Sequence, residues 1–121
     1  MSRVLLVGEP DAERSRLERV IGEGPHTVRA VAPVETLEIA RDWAPDIIIM
    51  DLATDGATLP VRIGMLRDPA LATIPFVALG DSEEEARALG ANAFVRKPAI
   101  DPNGLLDLLA TITSLRFPLG V

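Results

Sequence analysis

Five short apolar runs recur along the chain, Val4–Val7, Thr27–Val31, Ile47–Asp51, Phe76–Leu79 and Ala93–Arg96, each followed by a helix-like segment. They are near-continuous in Val, Ile, Leu and Ala rather than alternating. That is the pattern of strands covered on both faces, as in a buried parallel sheet. Strands and helices in alternation imply a doubly wound α/β fold.

The intervening segments carry helix punctuation. Asp11 caps a first helix with Glu13 in its first turn, and Leu17, Val20 and Ile21 form an apolar stripe before Gly22 and Gly24 stop it. Pro33 opens a second helix bearing Leu37, Ala40 and Trp43, closed by Pro45 because the residue before proline disfavours helical geometry. A third spans Thr58 to Arg67 with Leu59, Ile63 and Leu66 in phase as its apolar stripe, weakened by Gly64. The fourth has only Ser82 to Leu89 available, about two turns. Asp101-Pro102 starts the last, whose Leu105, Leu108, Leu109 and Ile112 can lie on the sheet.

The chain of 121 residues fits one domain, with a core over about 3–115 and a tail at 116–121. A formal charge of -6 argues against non-specific nucleic-acid binding, which needs a basic footprint. No cysteine is present, which removes disulfides and zinc–thiolate sites, and one histidine, His26, excludes a multi-histidine metal centre. The apolar stretches are strand-sized, short of the roughly 18 residues of a membrane span, and Met1-Ser2-Arg3-Val4 has no signal-peptide character, so a cytoplasmic protein is expected.

Asp51 ends the third run, and Lys97, the only lysine, follows the fifth and precedes Pro98. Open α/β sheets bind ligands just beyond the carboxyl ends of their strands, so this carboxylate and ammonium are the candidate site. Glu9, after the first run, is expected at the same edge. Asp46 and Asp55 are assigned to a strand entry and a turn, His26, in a turn before the second strand, to an exposed or strand-capping role, and Trp43 to partly buried packing.

Pro45-Asp46-Ile47-Ile48-Ile49-Met50-Asp51-Leu52, Ile74-Pro75-Phe76-Val77 and Gly90-Ala91-Asn92-Ala93-Phe94-Val95-Arg96-Lys97-Pro98, in this order and spacing, resemble the response-regulator receiver domain of two-component signalling. The resemblance runs from Val4 to about Leu115. It implies a flavodoxin-like, five-stranded parallel sheet in the order 2-1-3-4-5 with helices on both faces. It also implies Asp51 as phosphoacceptor, Lys97 as the contact to the phosphoryl oxygens, and Phe94 as the aromatic whose burial reports the active state.

Two positions depart from the family pattern. The adjacent acidic pair after the first strand reads Gly8-Glu9, and the Ser or Thr at the end of the fourth strand is replaced by Gly80. A weak Mg²⁺ site of Glu9 and Asp51 with the backbone of Ala53 is what remains of the family's metal site, because Mg²⁺ is commonly held by one or two carboxylates plus phosphate and water. A charged hydrogen bond of roughly 1.5–3 kcal/mol is lost with the missing hydroxyl, and with it the family's route from phosphate to Phe94.

The expected function is therefore an atypical receiver, not an enzyme, that acts as a protein-interaction module through its last helix, neighbouring strand and short fourth helix. Its partner would be a histidine kinase or a downstream effector, with neither nucleic acid nor membrane involved, and pairing into a homodimer is left open. The alternative is a working Mg²⁺-dependent phosphoacceptor using Glu9, Asp51 and Lys97.

Overall fold

The computed structural model describes residues 2–53, 56–97 and 100–116, the last two of these by backbone alone; Asp55, Pro98 and the 117–121 stretch of the tail lie outside the described residues. The elements follow the alternation read from the sequence: β1 (Ser2–Val7), α1 (Ala12–Gly22), β2 (His26–Val31), α2 (Thr36–Trp43), β3 (Ile47–Asp51), α3 (Thr58–Arg67), β4 (Phe76–Gly80), α4 (Glu83–Ala88), β5 (Ala93–Arg96) and α5 (Pro102–Arg116). All strand pairs are parallel and the sheet order is β2-β1-β3-β4-β5.

Each face of the sheet has its own core. Leu5, Val7, Ile48, Met50, Phe76 and Ala78 point toward Ala40 of α2, Val61 and Met65 of α3, and Ala86 of α4. Val4, Leu6, Ile47, Ile49, Val77 and Leu79 point toward Leu17 and Ile21 of α1 and Leu105 and Leu109 of α5. Consecutive strand residues alternate between these layers, so an unbroken Ile47-Ile48-Ile49-Met50 run is buried throughout.

The caps behave as residue chemistry dictates. Asp11 accepts a hydrogen bond from Arg14 N–H at 2.8 Å, and Ser82 Oγ accepts one from Glu85 N–H at 3.1 Å. At the end of α2 the chain turns through Ala44 in the left-handed region, φ 52°, just before Pro45. Asp46 secures the entry to β3 by accepting from the Arg3 N–H at 2.8 Å.

Three local readings are corrected. Pro33 opens a short 3-10 turn over Pro33–Glu35, and α2 proper begins at Thr36. The stripe of Leu59, Ile63 and Leu66 faces outward, 57%, 38% and 53% exposed, while Thr58, Val61, Arg62 and Met65 face in. Gly64 decides that rotation: Leu37 of α2 occupies the space a Cβ there would need, so α3 turns its bare position toward α2. His26 is the first residue of β2 and is buried, 7% exposed, with a buried Nδ1 that has no hydrogen-bond partner.

Candidate functional site

The carboxyl ends of β1, β3, β4 and β5 converge on one rim, and Asp51 and Lys97 meet there. Asp51 is the last residue of β3, paired in register with Leu79 of β4. Lys97 follows β5, and its N–H donates to the Gly80 carbonyl at 2.8 Å, which ties the end of β5 to the end of β4. Lys97 Nζ donates to Asp51 Oδ2 at 2.5 Å, with the two side chains only 20% and 18% exposed. Asp51 Oδ1 accepts from the Ala53 N–H at 2.9 Å, so both carboxylate oxygens are engaged.

Beside this pair lies a pocket of about 270 Å³ lined by Leu52, Ala53, Gly80, Asp81, Glu85 and Lys97. Asp81 and Glu85 bring negative charge to a place where a phosphoryl group would need positive charge, and Lys97, the cation among the described lining residues, is already bonded to Asp51. Gly80 contributes no side chain, and Leu52 lies against it.

Gly8 also borders Asp51: a Cβ on Gly8 would stand 3.5 Å from Asp51 Cβ. Glu9, one residue further on, is exposed. Arg14, which the sequence reading passed over, fills the neighbouring space. Its Nη1 donates to the Gly8 carbonyl at 3.1 Å, and its Nε is buried with no partner. No local sequence signal marks an arginine in the first turn of α1 as a rim residue.

Of the expected Mg²⁺ donors, Asp51 stands at the rim bonded to the Ala53 N–H, and Glu9 is exposed. Both Asp51 oxygens are bonded, a guanidinium sits at Gly8 where the family pattern has a carboxylate, and among the described residues no group of three or more His, Cys, Asp and Glu side chains is placed to hold a metal.

Phe94 stands on β5 opposite Ala78, partly buried against the core under α2 to α4. The Arg96 guanidinium lies 5.4 Å from its ring centroid, and Arg96 Nη1 donates to the Asp81 carbonyl at 2.8 Å. A shallow groove of about 170 Å³ between α4 and β5 is lined by Phe94 with Glu83, Ala86, Arg87 and Asn92 among others.

The chain is 31% identical over 111 residues to the polar-differentiation response regulator DivK of Brucella ovis, a match covering 84% of this chain and 89% of that protein. This is a response-regulator receiver. The same level of identity holds for DivK of Brucella suis. No family model matches the chain. The receiver also superposes on the chemotaxis response regulator CheY4 of Vibrio cholerae with a TM-score of 0.82 at 22% identity, covering 93% of this chain and 98% of that one. A response regulator from Desulfuromonas acetoxidans gives 0.83 at 18% identity, over 95% and 98% of the two chains. At these identities the structural likeness establishes the fold, and it agrees with the flavodoxin-like order observed. Among the described residues no helix of the receiver is long and apolar enough to cross a membrane.

Proposed function

We propose that this receiver is an atypical signalling module that engages a protein partner, a histidine kinase or a downstream effector, without depending on phosphorylation of Asp51. The observation that carries this reading is the direct bond of Lys97 Nζ to Asp51 Oδ2 at 2.5 Å, at a rim where Arg14 sits beside Gly8 and Gly80 has no hydroxyl. Lys97 and Asp51 neutralise one another, and the acidic Asp81 and Glu85 face the adjoining pocket. A lysine already paired gives little to an incoming anion unless that pair breaks.

The interaction face proposed is α4 with β5 and α5, centred on the groove beside Phe94. It combines an apolar floor, Ala86 and Phe94, with charged edges at Glu83 and Arg87, the mixed composition of a transient protein interface. Arg87→Glu and Phe94→Ala are expected to weaken partner binding about tenfold or more in titration calorimetry, while Asp51→Asn leaves it unchanged. Loss of binding in Asp51→Asn with no effect of the groove substitutions would reverse the reading.

The second reading, Asp51 as phosphoacceptor and Lys97 as its charge-neutralising contact, is favoured by the same proximity. In phosphoryl transfer most of the catalysis is positioning and electrostatics, and this pair is already placed.

A further inference from the structure

Main-chain bonds tie the ends of three strands together at the rim: Leu52 N–H donates to the Leu79 carbonyl and Lys97 N–H to the Gly80 carbonyl, both at 2.8 Å. A Cβ on Gly80 would stand 3.2 Å from Leu52 Cβ, 3.4 Å from its Cδ1 and 3.5 Å from its Cγ. A Cβ at position 80 would press on Leu52, which would have to give by a few tenths of an ångström. The nearest atom is a Cβ, which no rotamer change moves, and the rest of Leu52 packs on the core beneath α2 to α4. Gly80 is not at positive φ, unlike Gly56 and Gly90, so the constraint at this position is space and not backbone conformation.

We propose that Leu52 and Gly80 act as one unit, a wedge that pinches the ends of β3 and β4 and holds the segment from Gly80 to Glu85 in a single position. The inference rests on the phosphorylation-independent reading and supplies its regulation: packing fixes the signalling face in place of a chemical trigger. Transmission to that face is short. Asp81 follows Gly80, its carbonyl accepts from Arg96 Nη1 at 2.8 Å, and the Arg96 guanidinium lies 5.4 Å from the Phe94 ring centroid. Holding Asp81 still therefore holds Arg96 over Phe94. A Ser or Thr at position 80 would press on the same wedge.

A thermodynamic cycle in urea, together with relaxation-dispersion NMR, tests this. Gly80→Ala alone lowers the unfolding midpoint, although alanine in an unstrained backbone is otherwise favoured over glycine through the unfolded state. Adding Leu52→Ala, which keeps the Cβ, shrinks that loss; adding Leu52→Gly turns it into a gain. Amides of residues 80–85 show no exchange on the microsecond to millisecond scale in the unaltered receiver and acquire it in Leu52→Ala. Strictly additive effects of the two substitutions, or unchanged exchange in Leu52→Ala, overturn the wedge. Neither result depends on whether Asp51 accepts a phosphoryl group, which is read from the mass of the unaltered chain.

Discussion

Arg62 Nε donates to the Leu89 carbonyl at 2.8 Å, reaching from the inner face of α3 to the last turn of α4. Arg62 Nη2 reaches the Gly90 carbonyl at 3.3 Å, and the guanidinium stacks 4.8 Å from the Phe76 ring centroid. The residue is 7% exposed, and burial pushes its guanidinium below the usual arginine range. This one side chain closes the end of a helix of six residues, too short to hold its own carbonyls. Arg62→Lys loses the planar fork that serves both carbonyls and the ring, at a cost of about 1.5–3 kcal/mol in urea unfolding. Hydrogen exchange is expected to speed up first in α4. A variant as stable as the parent would show that α4 is held by other contacts.

His26 makes stability depend on pH. Its burial in β2 lowers its pKa from the ordinary 6.5, because desolvation penalises the charged ring. The unfolded chain thus binds the proton more readily than the folded one, and stability falls as pH drops through 6.5 toward the lower folded value. Above 6.5 the contribution is fully present. Between pH 7.5 and 5.5, on the order of one unit to either side of the unperturbed value, the urea midpoint of the parent should fall more than that of His26→Gln. Parallel curves for the two proteins would remove His26 as the cause.

The two sides of α3 should respond oppositely. Leu59→Lys and Leu66→Lys replace exposed side chains and are expected to change stability by less than about 0.5 kcal/mol. Met65→Ala, at a fully buried position between them, should cost about 2–5 kcal/mol. Equal, large losses at Leu59 and Met65 in chemical denaturation would place the apolar stripe against the sheet after all.

Most of the fold was legible because strands covered on both faces write themselves as unbroken aliphatic runs, and Ile47-Ile48-Ile49-Met50 allows little else. Asp51 and Lys97 were legible for a similar reason: a charge at the end of such a run has to lie at the sheet's rim. What periodicity left undetermined is which of two in-phase stripes turns inward. Thr58, Val61, Arg62 and Met65 share the helical spacing of Leu59, Ile63 and Leu66, and the choice was made by Leu37 filling the space beside Gly64 and by Arg62 spending its charge on two carbonyls. His26, between Pro25 and Thr27, reads as an exposed or strand-capping turn residue; it does open β2, yet that strand end is covered where Gly24 packs against Leu106 of α5. Arg14 and Leu52 act through space on Gly8 and Gly80, and neither relation leaves a trace in the spacing of the sequence.

On the reading proposed above, Asp51 and Lys97 form a structural ion pair that does not accept a phosphoryl group. Intact-mass analysis of the unaltered receiver after incubation with acetyl phosphate and Mg²⁺ tests it directly. The mass is predicted to stay unchanged. A single phosphoryl adduct that is absent from Asp51→Asn would make Asp51 a working phosphoacceptor and overturn the phosphorylation-independent reading.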